Sequence, residues 1–179
     1  MFAFAFLWGL AEATLFFIVP DVLLSLLALR DRRRAWVACG YAVAGAVLGG
    51  ALMYAWAVHD PVQVRSVLIS IPAISPDLLD QVRAQLDDWG YASLFAGAFS
   101  GVPYKLYASE AGAAALPLAG LLIVTIPARA LRFVLVVAVV NWIARRWLGG
   151  WTQNQRKAVL LAGWIVFYGG YFSVMARLN

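Results

Sequence analysis

The sequence predicts an all-α, polytopic membrane protein built from two inverted repeats, each a re-entrant helical hairpin followed by a transmembrane helix, with a further transmembrane helix at the C-terminus. Three observations predict this class. Of the 179 residues, 64% are hydrophobic and 13% are charged, whereas a soluble domain carries about 25% charged residues. The hydrophobic residues form runs long enough to cross a bilayer. Two of these runs are interrupted by proline.

Three hydrophobic runs predict transmembrane helices. Ala35–Val58 contains no charged residue and is long enough to span the bilayer with some tilt. Its Gly45 and Gly49 form a face of small residues, which lets helix backbones approach closely in lipid. Pro117–Ala144 is also long enough to span, although it contains two arginines, and Ala158–Ala176 is an uncharged run near the C-terminus. We predict that all three runs cross the membrane.

Two further hydrophobic runs, residues 2–29 and 91–116, are interrupted by proline. Proline removes a backbone donor and clashes with the preceding turn, so each run is expected to bend or break there. Backbone that is broken at membrane depth is tolerated only where it is buried in protein or lines a wet cavity. We therefore predict two re-entrant hairpins, with Pro20 at the tip of the first and with Gly101 and Pro103 at the tip of the second.

The segment between the two predicted repeats, residues 59–89, is the only long polar stretch of the sequence. Ser75 is a typical helix N-cap, and Pro76 suits the first helical position. Apolar residues then recur at helical spacing, and Gly90 can end the helix. The pattern predicts a short amphipathic helix at the membrane interface, with an ordinary solvated loop helix as the alternative.

The distribution of charge predicts the side of the membrane on which each loop lies. Residues 30–34 contain four arginines and residues 145–157 form a second basic cluster, whereas residues 59–89 contain five aspartates and two arginines. The positive-inside rule places both basic loops in the cytoplasm and the acidic segment outside. Both basic loops reach the cytoplasm only if residues 91–116 enter and leave by the same face, as a re-entrant hairpin does.

These segments predict a single multi-pass membrane domain. Its parts are the following: first repeat 1–58 (hairpin 2–29, transmembrane helix 35–58), extracytoplasmic linker 59–89, second repeat 90–144 (hairpin 91–116, transmembrane helix 117–144) and C-terminal helix 158–176, together 1–179. Superposing Val19-Pro20 on Val102-Pro103 aligns the two repeats. In inverted repeats the two hairpins enter from opposite faces and their tips meet near the midplane, where transporters bind their substrates.

Six ionisable residues lie inside the predicted hydrophobic segments: Glu12, Asp21, Lys105, Glu110, Arg129 and Arg132. Each charge costs about 2.5–3.5 kcal/mol at mid-helix on insertion scales, so six charges without partners would cost roughly 15–20 kcal/mol. This cost exceeds the whole stability of a typical domain. The six residues must therefore pair with one another, face water or lie near the lipid headgroups.

The three basic residues of this set predict a phosphate-binding site. Arg129 and Arg132 lie one turn apart on the same helix face, and Lys105 follows the tip of the second hairpin. Arginine binds phosphate through two parallel hydrogen bonds and lysine binds it as a point charge. The three acidic residues are predicted to be counter-charges or proton carriers: Glu12, Asp21 and Glu110.

Two other interpretations of these charges stay open. They are either structural ion pairs in a non-transporting, membrane-organising protein, or parts of a small-ion or proton exchanger. Enzymatic activity is not expected, because Ser109 and Glu110 lack an evident intramembrane base. A single His59 and a single Cys39 predict neither a metal site nor a cofactor. Nucleic acids are not expected as partners, and a homo-oligomer stays possible.

Two stretches of the sequence resemble the DedA superfamily, also called the VTT or SNARE-associated domain. Residues 11–56, AEATLFFIVPDVLLSLLALRDRRRAWVACGYAVAGAVLGGALMYAW, are similar to its first repeat, especially in the YqaA-type branch, where an acidic residue precedes a proline-rich tip. Residues 95–133, FAGAFSGVPYKLYASEAGAAALPLAGLLIVTIPARALRF, resemble its second repeat, with a proline-tyrosine-lysine tip and a later R-x-x-R-F. Together the likeness covers about residues 6–142.

The resemblance implies opposed re-entrant hairpins, each followed by a spanning helix, and transbilayer movement of lipid. In bacteria it implies a flippase of the cytoplasmic (inner) membrane that recycles undecaprenyl phosphate, with membrane lipids as partners and proton coupling as a further implication. In eukaryotic relatives it implies phospholipid scrambling. Five residues match the family pattern: Glu12 and Asp21 in the first hairpin, Lys105 at the second tip, and Arg129 and Arg132 in the following helix. Three features depart from it: Gly101 replaces the usual first tip proline, Lys105 lies about one position after the usual arginine, and Glu110 matches no position.

Overall fold

The computed structural model describes residues 1–178, except for the side chains of residue 172 and residues 174–178. Within this part of the chain the regular structure is helical throughout, without a strand, which confirms the predicted all-α class. The helices are α1 (Phe2–Ala13), α2 (Asp21–Arg30), α3 (Arg32–His59), α4 (Pro61–Ile69), α5 (Pro76–Trp89), α6 (Ser93–Ser100), α7 (Tyr104–Ala113), α8 (Leu118–Arg146) and α9 (Gln153–Leu178). A short 3-10 turn, Gly90–Ala92, joins α5 to α6.

Two helices of the described chain, α3 and α8, are long and apolar enough to cross a membrane. α3 begins three residues before its predicted start, because the side chain of Asp31 accepts a hydrogen bond of 3.1 Å from the Arg34 backbone amide and caps the helix. Residues 32–34 are therefore helical and not a loop, which corrects the predicted basic loop 30–34.

The second basic cluster is also mainly helical, which corrects the predicted loop 145–157. Arg145 and Arg146 form the last turn of α8, where the helix dipole favours positive charge. Arg156 and Lys157 lie in the first turns of α9, so only residues 147–152 connect the two helices. The predicted C-terminal span 158–176 falls within α9, and its last three residues lie outside the described side chains.

Both proline-bearing runs are broken where the sequence predicts a break. The first break covers residues 14–20, and α2 begins directly after Pro20. The second covers residues 101–103, and α7 begins directly after Pro103. At this second break Gly101 has a φ of +88°, a left-handed conformation that suits glycine, so this residue makes the turn at the predicted tip.

The linker contains the predicted helix and one that we did not predict. The hydroxyl of Ser75 accepts a hydrogen bond of 3.3 Å from the Leu78 amide, and α5 then runs to Gly90, which has a φ of +54°. α4 begins in a similar way, with the side chain of Asp60 accepting a hydrogen bond of 2.9 Å from the Gln63 amide. The linker is thus a pair of short helices.

The helices are arranged around the central pair α3 and α8, which pack against each other. α1 and α7 pack on α3, α6 packs on α8, and α2 packs on both long helices. α9 lies along α2, to which it is joined by hydrogen bonds of 3.1 Å from Gln153 to the Leu29 carbonyl and 3.0 Å from Trp164 to Ser25. Further up, the Tyr168 hydroxyl accepts a hydrogen bond of 2.9 Å from the Val19 amide.

α1 and α3 approach each other closely through glycine. A Cβ added to Gly9 would lie 2.2 Å from the Ala42 carbonyl oxygen, and one added to Gly45 would lie 2.0 Å from the Phe6 carbonyl oxygen. Real Cβ atoms essentially never approach so closely. The close approach involves Gly45 of the small-residue face that the sequence predicts on α3. It fixes the position of Glu12, near the end of α1, along the axis of α3.

Candidate functional site

The deepest charged contact joins α1 to α8. Arg129 donates to Glu12 through its terminal guanidinium nitrogen, and the two residues are 3% and 4% exposed. The guanidinium carbon also lies 5.3 Å from the centre of the Tyr104 ring and 4.9 Å from that of Phe133. Two aromatic faces and one carboxylate therefore surround this arginine, which compensates for its removal from water.

One turn further along α8, Arg132 pairs with the first residue of α2. Its Nε and Nη2 atoms lie 2.9 Å and 2.8 Å from the same carboxylate oxygen of Asp21. Its Nη1 atom donates a hydrogen bond of 3.1 Å to the Ala98 carbonyl in α6. The side chain is 19% exposed, so Arg132, unlike Arg129, is partly accessible.

Lys105 has a different environment from the two arginines. Its ammonium group donates a hydrogen bond of 2.7 Å to the backbone carbonyl of Phe16, in the break of the first predicted hairpin. The residue is 1% exposed, yet among the described residues no carboxylate lies within 4.0 Å of the ammonium. This contact also brings the first residues of α7 next to the break between α1 and α2.

These five residues, Glu12, Asp21, Lys105, Arg129 and Arg132, form the inner charge cluster. Three of them line a cavity of about 260 Å³: Glu12, Lys105 and Arg132. Its other walls are mainly apolar or aromatic and come from the two breaks, the α4–α5 connection and α9: Phe16, Phe17, Val19, Ile71–Ile74, Phe99–Pro103, Phe167, Tyr168 and Tyr171. Gly101 and Pro103 of the second predicted tip line the cavity, whereas Pro20 lies beside its Val19 wall.

Glu110 does not join the inner charge cluster, which corrects its predicted place there. Its two carboxylate oxygens lie 3.6 Å from Arg65 of α4 and 3.7 Å from Arg83 of α5. Glu110 follows Lys105 by five residues on α7, a rise of about 7.5 Å toward the linker. Arg65 also contacts Asp80 at 2.6 Å. We call Arg65, Asp80, Arg83 and Glu110 the outer charge cluster.

The two linker arginines were not predicted as site residues. In the sequence both fit an ordinary solvated helix face, and only the folded chain brings α4 and α5 onto α7. A weak signal existed, because Arg65 and Arg83 are the only basic residues of the acidic linker apart from His59.

The inner charge cluster is not neutral. Its three cations and two carboxylates leave a formal charge of +1, located beside a cavity with mainly apolar walls. Such an arrangement can accept an anionic group that carries an apolar chain, because the cation offsets the charge while the walls exclude water. No group of three or more metal-ligating side chains occurs among the residues that the structure describes.

Comparison with known proteins identifies one distant relative. No family model matches the chain. An uncharacterized protein of Haemophilus influenzae is 25% identical over 167 residues, which are 91% of this chain and 84% of that protein. No solved structure matches the chain.

Proposed function

We propose that the protein moves a lipid phosphate, such as undecaprenyl phosphate, across the bacterial cytoplasmic membrane as a flippase or scramblase of the DedA superfamily. The observation that carries this proposal is the cavity of about 260 Å³ that combines Lys105 and Arg132 with largely apolar walls. A lipid phosphate has the matching chemistry, since its headgroup is anionic and its chain is apolar. Lys105 is the cation with no carboxylate beside it, so it is the first ligand available to the phosphate.

The two carboxylates of the inner charge cluster supply a way to exchange partners. In the empty site Asp21 holds Arg132, and Glu12 holds Arg129. An arriving phosphate competes for Arg132, because guanidinium binds phosphate as well as it binds carboxylate. A carboxylate that loses its arginine in a buried place favours the protonated form. Proton uptake by Asp21 or Glu12 is therefore the proposed coupling step.

The packing of the helices supports two repeats. The first unit, α1–α2–α3, and the second, α6–α7–α8, each have two short helices followed by a long one. The first short helix of each unit packs on its own long helix, α1 on α3 and α6 on α8. The second short helix of each unit packs on the long helix of the other unit, α7 on α3 and α2 on α8, and α2 also packs on α3. A pseudo-two-fold axis between inverted repeats produces this pattern, in which each unit packs its second short helix on the other unit's long helix. We propose that the short helices are the re-entrant hairpins.

The outer surface supports a membrane location for several helices. Large apolar side chains are exposed on both long helices, for example Leu52 at 51% on α3 and Ile123 at 68% on α8. α9 exposes Ile165 at 72% and Val166 at 75%. Lipid is the environment in which such faces are stable. We propose that α3, α8 and α9 span the membrane, with the basic helix ends in the cytoplasm and α4–α5 outside.

Reconstitution into liposomes tests the proposal directly. The wild-type protein is expected to move a labelled polyprenyl phosphate between leaflets faster than protein-free liposomes, in the presence of a proton gradient of either direction. Lys105→Met should slow transfer about tenfold or more, since charged hydrogen bonds contribute about 1.5–3 kcal/mol. Lys157→Met, which changes the other lysine of the chain, is the matched control and should transfer at the wild-type rate. Transfer by the wild type no faster than by empty liposomes would refute the proposal.

A second candidate is a membrane-organising protein in which the charges are only structural. The observation that favours it is that each α8 arginine already has its own carboxylate. Exchanging the pair, Glu12→Arg with Arg129→Glu, separates the two candidates. Structural pairs predict that the exchange restores the function lost in either single variant. A phosphate site with proton coupling predicts that stability returns while transfer does not, because the exchange removes the Glu12 carboxylate, a proposed proton acceptor, from the cavity lining.

A further inference from the structure

A second basic pocket, separate from the inner charge cluster, lies at the other end of the helices. It has a volume of about 370 Å³ and four arginines line it: Arg30, Arg32, Arg145 and Arg156. No carboxylate contributes to its described lining. Asp31, which stands between two of these arginines in the sequence, pairs instead with Arg34 at 3.1 Å. The pocket therefore concentrates positive charge that no acid of its own wall offsets.

Arg156 is the best-positioned side chain of this pocket. It lies in the first turns of α9, and its Nη2 atom donates a hydrogen bond of 2.9 Å to the Gly149 carbonyl in the α8–α9 connection. Its Nε atom is buried and has no hydrogen-bond partner. The side chain is thus held in place by one bond while a second, buried donor lacks an acceptor. A phosphate oxygen is the type of acceptor that satisfies such a donor.

An apolar groove of about 400 Å³ continues from this pocket between α8 and α9. The two spaces share Leu29 and Arg156 in their linings. At its far end the groove shares Arg132 and Phe167 with the cavity of the inner charge cluster. Arg156 and Phe167 are eleven residues apart on α9, so the groove extends for about 16 Å along the helix.

We propose that the four-arginine pocket binds the phosphate headgroup of an anionic membrane lipid, whose chain lies in the groove between α8 and α9. The groove decides between a lipid and a soluble phosphate, because a soluble phosphate has no part that fills an apolar channel. The four arginines favour an anionic lipid over a neutral one, because no carboxylate of the lining offsets their charge. Basic pockets between helices on the cytoplasmic side are typical sites for anionic headgroups.

The groove also gives this pocket a place in the transport route. Resting on the proposed function, we assign it as the cytoplasmic entry or exit site, from which the headgroup moves along α8 toward Arg132. The positive-inside rule alone requires only the number of arginines near the cytoplasm. It does not require that four of them share one pocket or that the pocket opens into an apolar groove.

The binding test compares two double variants with the same loss of charge. Arg32→Gln with Arg145→Gln changes the pocket, whereas Arg33→Gln with Arg146→Gln changes neighbours that do not line it. Dioleoyl phosphatidylglycerol is titrated into each purified protein in neutral detergent, and binding is followed by native mass spectrometry. We expect the pocket variant to bind about tenfold or more weakly and the control variant to bind within about twofold of the wild type. Equal weakening in both variants would overturn the proposal, because it would show a bulk charge effect.

Two further comparisons address the lipid chain. Gly163 lines the groove and has open space beyond its Cβ position, so Gly163→Phe fills the groove without a backbone clash. Gly170→Phe is the control, since Gly170 is equally open and does not line the groove. Only the first substitution should weaken phosphatidylglycerol binding. If glycerol phosphate binds as tightly as phosphatidylglycerol, the lipid chain plays no part and the proposal is overturned. If phosphatidylcholine binds as tightly, the headgroup charge plays no part and the proposal is also overturned.

Transfer assays separate this proposal from the proposed function. If the wild-type protein moves no lipid phosphate, the proposed function fails, while the phosphatidylglycerol binding of the two double variants still decides whether the pocket is a lipid site. If the wild type moves lipid and the pocket variant transfers and binds equally well, the entry site fails alone. The expected result is slower transfer by the pocket variant at low lipid concentration and normal transfer by Arg33→Gln with Arg146→Gln.

Discussion

The inner and outer charge clusters both pair arginines with carboxylates, but they differ in how far these side chains are exposed to water. In the inner charge cluster the Arg132–Asp21 contact is 2.8 Å long, and the side chains of Arg132 and Arg129 are 19% and 4% exposed. In the outer charge cluster Glu110 lies 3.6 Å and 3.7 Å from arginines that are 36% and 41% exposed. Water reaches the arginines of the outer cluster more readily than those of the inner one, so the same pairing contributes differently to stability.

The largest effect is expected from breaking the deepest contact. Glu12→Gln leaves Arg129 buried and charged without its carboxylate, which should lower the free energy of unfolding by about 3–5 kcal/mol. Chemical denaturation in detergent micelles measures this change. The double variant Glu12→Gln with Arg129→Gln should recover at least half of the loss, since no uncompensated charge remains. A double variant as unstable as the single one would show that packing, and not charge, holds this contact.

A smaller effect is expected at the second inner contact. Asp21→Asn keeps the size of the side chain and removes the negative charge that pairs with Arg132. Arg132 keeps its hydrogen bond to the Ala98 carbonyl. The expected loss is about 1.5–3 kcal/mol, the range of hydrogen bonds to charged groups. The same denaturation experiment should rank Asp21→Asn between Glu12→Gln and any outer variant. A loss as large as that of Glu12→Gln would contradict the role that we assign to exposure.

The outer charge cluster should respond more weakly. Glu110→Gln is expected to cost about 0.5–1 kcal/mol, because its arginine partners are partly hydrated and can turn to water. Hydrogen exchange should increase in α4 and α5, which Glu110 joins to α7, and not in α1. Asp88→Asn, on the exposed side of α5, is the control and should leave exchange unchanged.

The smallest expected effect is the change that high salt makes in the stability of the outer-cluster variant, with no such change in the inner-cluster variant. At 1 M salt the screening length falls to about 3 Å, which weakens charges that face water far more than buried ones. The stability difference between the wild type and Glu110→Gln should then decrease to within about 0.3 kcal/mol, while the difference for Glu12→Gln stays. Equal salt sensitivity of the two differences would mean that the inner charge cluster is open to solvent.

The sequence predicts those features of the fold that depend on neighbouring residues. Ser75-Pro76 marks the start of α5, and Pro20 and Pro103 each precede the helix that follows a break. Asp60-Pro61 is the same kind of signal as Ser75-Pro76, so α4 was predictable although we did not predict it. The starts of α3 and α9 differ from prediction because charged residues were assigned to loops where they form helix ends.

The candidate site was less predictable, because charge alone does not specify a partner. The spacing of Arg129 and Arg132 correctly indicates a shared face of α8, but not that each has its own carboxylate. Glu110 looks equivalent to Glu12 in the sequence, since both are acids in apolar runs. Only the packing of α4 and α5 on α7 shows that Glu110 belongs to the linker side of the molecule.

The glycine contact between α1 and α3 limits which parts of the molecule can move. Gly9 and Gly45 bring main chain against main chain, with no flexible side chain between the helices to take up a displacement. We therefore expect α1 and α3 to move as one rigid body that includes Glu12. A rearrangement that separates Glu12 from Arg129 is then expected to come from a shift of α8 relative to these two helices. A crosslink between α1 and α3 is for this reason expected to leave the separation of Glu12 from Arg129 possible, whereas a crosslink between α1 and α8 is expected to prevent it.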